Sequence, residues 1–417
     1  MDDSHVPHSD RAERSGTALC LSGGGFRAAL FHLGAARRLN ELGILAQLDS
    51  VSSVSGGSIF AAHLASSISS WPASGAAVDE WDERVSSGFR SFCSRDIRSG
   101  PIIERALPWN WVRRSTQTSV LAHRYHSALT QRTLAQLPER PNFIFCATDI
   151  VNGVNWVFER LRVGDFRVGY AAPTDDWPIS FAVAASSCFP PLFSPLSVRS
   201  LIKKRSEATR PWAQVRLSDG GVYDNLGIEP VWKSHRTVLV CDGGAPLRCE
   251  DPGLFSEWVR YVDVASNQAH ALRLRALIAS YRREEISGCY WSIAQSSETG
   301  PAWTDCYSRD LVRDIISRVR TDMNGFSLAE RAVLENHGYL IADAAIRARA
   351  PQMVAAWPPA QVPYPEWLDE EKVRFALAFS HKRLSLQRIL RNAAIWQRER
   401  ERQRRLATAP AMGSGVQ

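Results

Sequence analysis

Apolar positions along the chain fall into two recurring patterns, short continuous runs and longer helical stripes. Thr17-Ala18-Leu19-Cys20-Leu21 has the length of a buried strand and runs into Ser22-Gly23-Gly24-Gly25. Phe31, Leu33, Ala36, Leu39 and Leu42 then recur at helical spacing until Gly43 stops them. Leu48 to Val54 reads as a second strand. Ser55-Gly56-Gly57 turns it into a helix carrying Ile59, Phe60, Ala61, Ala62 and Leu64. Strand, loop, helix, strand, turn, helix predicts an α/β fold with a parallel sheet.

Downstream, Phe143 to Asp149 reads as a strand, with Asn155 to Phe158 as its hairpin partner across Asn152-Gly153. Ile179 to Phe193 is apolar with small residues at Ala184-Ala185-Ser186-Ser187. Gln214 to Ser218 and Thr237 to Cys241 are strands, and each feeds an Asp-Gly-Gly, at Asp219 and at Asp242. From 246 to 350 the pattern is helical, mainly 258–283, 307–320 and 328–350, with Ser327 and Glu330 at capping-box spacing. Five prolines between Pro351 and Pro365 mark a linker, and 366–407 reads as one long basic amphipathic helix. Residues 1–16 and 408–417 carry no such pattern and read as flexible ends.

Charge narrows the partners. The net charge is +7, yet Lys372 to Arg405 holds 11 Lys+Arg against 2 Asp+Glu, so the remainder carries −2. The basic character belongs to one segment. That segment suits docking on the body of the protein, an anionic membrane or nucleic acid, and no recognition motif supports nucleic acid, so none is expected as a partner. Between 71 and 140, Trp109 and Trp111 stand among Arg95, Arg98, Arg105, Arg113 and Arg114. This stretch reads as an insertion over the site, either a lid packed on the sheet or a contact with a membrane interface. The eight cysteines form no C-x-x-C pair, which suits a reducing compartment. No secretory leader or membrane-length apolar run is visible, so a cytoplasmic protein, peripheral on the inner face of the membrane, is expected.

Chemistry enters at the turns. A serine between a strand and a helix, followed by two glycines, has the layout of a nucleophile elbow, with Ser53 standing where the usual motif has its first glycine. Ser22-Gly23-Gly24-Gly25 lacks the G-K-[ST] of a nucleotide loop, and Ala28 spoils the dinucleotide pattern. An anion-holding turn of backbone N–H groups, with Arg27 beside it, or a tight structural turn remains. His63 stands eight residues after Ser55, about 12 Å along a helix, too far for a base.

Ser22-Gly23-Gly24-Gly25-Phe26-Arg27-Ala28, the Ser55 elbow and the distant Asp-Gly-Gly together resemble the patatin-like phospholipase and cytosolic phospholipase A2 family. The resemblance covers roughly 17–245. It implies a three-layer α/β/α core with a mostly parallel sheet, extended here by C-terminal helices. It also implies a Ser–Asp dyad without histidine, Ser55 with Asp219, Asp219 being preferred to Asp242 for the turn, helix and strand after it. Gly23, Gly24, Gly25 and Arg27 become the oxyanion hole, with Arg27 either orienting the loop or meeting a lipid phosphate. Ser53, Gly56, Gly57, Gly220 and Gly221 support the motifs. The implied activity is hydrolysis of acyl esters in phospholipids or lysophospholipids, with no cofactor and no metal. The alternatives are a neutral-lipid esterase or thioesterase, a non-catalytic membrane-binding protein, and a membrane-attacking effector that needs an activator.

Overall fold

A computed structural model describes residues 13–100, 117–173, 175–190, 192–200, 212, 214–244, 246, 257–296 and 306–382. Its centre is one sheet of ten strands. They are β1 (Thr17–Leu21), β2 (Ser50–Val54), β3 (Asn142–Asp149), β4 (Val154–Phe158), β5 (Val163–Asp165), β6 (Gly169–Ala171), β7 (Leu196–Ser197), β8 (Arg216–Asp219), β9 (Thr237–Asp242) and β10 (Ser287–Ser292). The main order is β10-β9-β1-β2-β3-β4-β5-β6, and β7 and β8 branch off β3. From β10 to β3 all neighbours are parallel; β4, β5, β6 and β8 are added antiparallel.

Alternation along the strands creates two apolar faces. Leu19, Leu21, Val51, Phe143, Phe145 and Leu239 face one core. Ala18, Cys20, Val54, Ile144, Cys146 and Val240 face the other. Helices α1 (Gly25–Glu41), α2 (Gly56–Ser67), α3 (Ser87–Cys93), α4 (Gln117–Ala128) and α5 (Ile179–Ser187) serve the first face. After the short α6 (Gly221–Asp224), α7 (Glu257–Arg282) covers the second face through Leu277 and Leu274. The result is a three-layer α/β/α fold.

Helix α8 (Leu328–Arg349) lies directly on α1. The crossing is close because each helix offers a glycine. A Cβ at Gly34 would lie 1.9 Å from the Glu335 carbonyl oxygen, and one at Gly338 would lie 1.9 Å from that of Phe31. Arg38 then pairs with Asp343 at 2.7 Å, and Arg90 clamps Glu335 at 2.6 and 2.8 Å. Ser327 and Glu330 form the capping box that their spacing predicts.

Two expectations change and a third is narrowed. The segment 246–350 is not purely helical, because β10 adds a parallel strand beside β9. Gly288, at φ 120°, presses so close that a Cβ would lie 2.0 Å from the Val238 carbonyl, and a glycine in so short a run reads as a turn. In the described part of the 71–140 insertion the aromatics pack inward, Phe89 and Phe92 being buried against Phe60 and Phe26, which leaves the membrane-contact alternative without support from these rings. Trp109 and Trp111 lie outside the described residues. The segment 366–407 does not begin as one long helix. Its described part is α9 (Glu370–Leu377), capped by Asp369 and followed by turns, with Val373, Ala376 and Leu377 buried. The basic remainder from 383 lies outside the described residues.

Candidate active site

Ser55 stands between β2 and α2 at φ 51° and ψ −115°, a conformation that an L-residue holds only under strain. The strain is locked in from several sides. A Cβ at Gly56 would lie 2.2 Å from the Gly25 carbonyl, and one at Gly57 would lie 2.2 Å from the Leu21 carbonyl. The two glycine turns therefore interlock backbone to backbone. Below them, the Ser55 N–H donates to Ser186 Oγ at 2.9 Å, and Ser186 donates to the Cys146 carbonyl at 2.6 Å. Ser58 Oγ sits 3.0 Å from Ser53 Oγ and 2.8 Å from Ser186 Oγ, while Ser53 donates to the Ile144 carbonyl at 3.1 Å. Ser53, in the place of a glycine, anchors this hydroxyl network to β3. Ser58, which the sequence motifs did not single out, and Ser186, within the small-residue stretch noted at Ala184 to Ser187, brace the turn. Their signal was present as Ser three residues after Ser55 and as the Ser186-Ser187 pair.

Sheet register brings the acid to the serine. β2 pairs with β3 up to Val54 opposite Cys146, and β8 takes over from Asp219 opposite Ala147. β8 runs antiparallel to β3 and β2 parallel to it, so the carboxyl ends of β2 and β8 meet head-on. Ser55 and Asp219 are the residues at that meeting. Asp219 is buried; its Oδ1 accepts from the Gly221 N–H at 2.7 Å, and its own carbonyl accepts from Thr148 Oγ1 at 2.8 Å. A Cβ at Gly220 would lie 2.5 Å from the Cys146 carbonyl, so only glycine lets the turn approach β3 this closely. Burial raises the Asp219 pKa to about 7, against hydrogen bonding from Ser55 and from the Gly221 N–H. Oδ2 is buried with no partner in regular hydrogen-bond geometry among the described residues, while Ser55 stands near enough to act on the carboxyl's pKa.

The first glycine loop divides its donors. The Gly23 N–H is committed to the Asn225 carbonyl at 3.1 Å, which removes Gly23 from the expected oxyanion donors. The N–H groups of Gly24 and Gly25 meet no acceptor among the described residues and stand with Ser55 at one cavity, at the start of α1. Gly24 has φ 146° and Gly25 φ 60°, and a Cβ at Gly25 would lie 2.6 Å from the Asp322 carbonyl. Arg27 is also corrected. It is buried, and its guanidinium donates to the carbonyls of Gly243 at 2.9 Å and Val319 at 3.0 Å. It orients the loop and is spent in doing so.

Asp242 differs from Asp219 in kind. Burial pushes its pKa up, but the hydrogen bond and charge of His270, 3.3 Å away, pull it down to about 2, with help from the Gly244 N–H at 2.9 Å and Tyr290 at 2.9 Å. It is a well-partnered carboxylate, ionised at neutral pH. His270 makes no hydrogen bond to Ser55 among the described residues. His63 Nε2 donates to the Val85 carbonyl at 2.8 Å and lies 3.1 Å from Ser67 Oγ, and burial lowers its pKa to about 4.

A family model for patatin-like phospholipases matches residues 19–232, just over half of the chain. The chain belongs to the patatin-like phospholipase family. No curated protein matches the sequence. Among solved structures the chain is similar to human GIVD cytosolic phospholipase A2, at 12% identity and a TM-score of 0.39, over 63% of this chain and 49% of that one. It is also similar to VipD from Legionella pneumophila, at 14% identity and a TM-score of 0.33, over 80% and 66%. It thus spans about half the length of the human enzyme.

In this patatin-like protein the site opens into a cavity of 720 Å³. Ser55, Asp219 and the glycine loop lie along it. Phe189, Leu192, Phe193 and Met323 line one part, while Arg260, Asn267 and His270 line another. Among the described residues no three His, Cys, Asp or Glu side chains gather as a metal site would require. No described helix is long and apolar enough to cross a membrane.

Proposed function

We propose that the protein is a lipid acyl hydrolase of phospholipase A or lysophospholipase type, using Ser55 as nucleophile and Asp219 as base. The observation that carries this reading is the head-on meeting of β2 and β8, which sets a strained serine beside a buried carboxyl with a pKa near neutrality. Asp219 takes the Ser55 hydroxyl proton as Oγ attacks the ester carbonyl. The carbonyl oxygen becomes negative and is held by the Gly24 and Gly25 N–H groups at the α1 N-terminus; one such donor is worth about 3–4 kcal/mol. Collapse breaks the C–O bond, and the departing alcohol takes the proton from Asp219. Acyl-Ser55 remains. Asp219 then takes a proton from water, the hydroxide attacks, and Ser55 leaves with the proton returned. A carboxylate is a poor base in water; burial makes this one adequate, because its proton affinity is raised about a thousandfold by the shift.

The lipid substrate presents its ester at a surface, so the protein works as a peripheral visitor to membranes. The test is fatty-acid release from mixed phospholipid vesicles by wild type, Ser55→Ala and Asp219→Ala. Both variants should lose release by at least about a thousandfold. Release that survives Ser55→Ala would sink this mechanism.

A further inference from the structure

Arg27 is the obvious cation for an anionic lipid group, yet its guanidinium is buried on backbone carbonyls. The cavity supplies another. Arg260, Asp263, Asn267 and His270 of α7 all line it. Their spacing of three, four and three residues is that of a single helical face. Arg260 is half-buried and makes no ion pair or hydrogen bond among the described residues, and neither does the Asn267 amide. His270 uses Nε2 on Asp242 at 3.3 Å, and its Nδ1 has no partner among the described residues. Two carboxylates face the same end. The Asp242 charge is matched by His270, and Asp263 has an interaction of its own. Arg260 is left as a cation with no counterpart among the described residues.

Sheet order fixes which end of a substrate this face would meet. α7 packs over β9 through Leu277, and Tyr290 and Ser292 of β10 line the same end. Phe189 and Phe193 follow α5 and adjoin β8, where the Asp219 N–H meets the Cys188 carbonyl at 3.4 Å. Ser55, at the end of β2, lies between. An ester held at Ser55 therefore has apolar lining on its β8 side and polar lining on its β9 side. The acyl chain belongs on the first and the leaving alcohol on the second.

We infer that Arg260, Asn267 and His270 form a phosphate subsite for the leaving half of the substrate, which makes that substrate a phosphodiester-bearing lipid rather than a neutral glyceride. The inference deepens the ester-hydrolase reading of the same cavity and rests on it for the role of Ser55. Arg260 supplies a paired donor fork, His270 an Nδ1–H, and Asn267 an amide N–H. The lower rim, with Asp242 charged, keeps the imidazole oriented.

Binding separates this subsite from catalysis. Ser55→Ala is titrated with monomeric 1-palmitoyl-lysophosphatidylcholine and with 1-palmitoylglycerol, which share the acyl ester and differ in the phosphocholine. The lysophospholipid should bind about tenfold tighter or more, the scale of one charge-assisted contact. Arg260→Gln in that background should erase the difference, and because Arg260 makes no ion pair or hydrogen bond among the described residues, the variant should melt at the parent temperature. His270→Gln should reduce the difference in part. Equal binding of the two lipids, or a preference that survives Arg260→Gln, would overturn the subsite. Turnover of both lipids by the wild type tests the dyad separately. A binding preference with no fatty acid released from either would sink the hydrolase reading and leave the subsite standing.

Discussion

At the scale of single residues, Asp219 links activity to stability. As a base it must be ionised, and burial holds its pKa at about 7. Hydrolysis should therefore fall about tenfold per pH unit below that value and level off above it, read as kcat/KM across pH 5 to 9. A flat profile through pH 7 would exclude Asp219 as the base. The same shift has a cost in the fold. Between about pH 4, where the unfolded carboxyl releases its proton, and about pH 7, folding retains a proton that unfolding loses. The native state binds more protons there, so stability falls as pH rises, by on the order of 4 kcal/mol across the window. Asp219→Asn cannot ionise and can still accept from the Gly221 N–H. It should melt higher than wild type at pH 8, with the gap closing near pH 4, while hydrolysis is lost. Equal melting temperatures at pH 8 would show that the carboxylate is solvated rather than buried. Little of this was legible in the sequence. The turn, helix and strand after Asp219 distinguish it from Asp242, but charge state does not, because His270 and Tyr290, which hold Asp242 ionised, come from elements far along the chain.

At the scale of elements, the glycines decide which helices meet. Gly88 and Gly338 both sit inside helices, and the same substitution should act on them in opposite directions. A Cβ at Gly88 meets only a His63 ring carbon at 3.5 Å, ordinary contact. Gly88→Ala should stabilise by about 0.5–1 kcal/mol, through helix propensity. At Gly338 the new carbon would lie 1.9 Å from the Phe31 carbonyl, a backbone atom that cannot swing away. Gly338→Ala should cost about 2–4 kcal/mol, since α1 must move off α8 and the Arg38–Asp343 pair must follow. Chemical denaturation of the two variants reads both signs, and a neutral Gly338→Ala would mean that the helices cross less closely. Periodicity revealed α1 and α8 as helices, but the crossing depends on a carbonyl in one chain segment facing a missing side chain in another. The parallel strands β1 and β9 were legible because their apolar runs are nearly continuous, and β2, three of whose five residues are serine, because the Ser55-Gly56-Gly57 turn and an apolar helix follow it. β10 was not, because Gly288 breaks its pattern for the sake of a neighbour, and β5 and β6 are three residues each, too short to show a period.

At the scale of the whole molecule, the question is where the folding unit ends. The family match stops at residue 232, and the sequence alone places the end of the core near 245. Three features argue for a larger unit. β10 pairs along the whole length of β9, so removing it bares an internal edge of a parallel sheet. α7 is the cover of the second apolar face, through Leu274 and Leu277. α8 buries residues along most of its 22-residue length, including His337, whose Nε2 donates to the Ile293 carbonyl at 2.9 Å. The glycine loop itself depends on this outer shell, because the Phe26 N–H is held by the Asp322 carbonyl and Arg27 by that of Val319. We propose that the catalytic unit extends from about residue 17 through α9. A chain ending at residue 245 should then show no cooperative thermal transition in calorimetry. One ending at residue 382 keeps every described element and should unfold cooperatively with hydrolysis intact in detergent-dispersed substrate. A cooperative transition in the shorter chain would return α7, α8 and β10 to the status of an appendage, and would leave the glycine loop without the carbonyls that hold it.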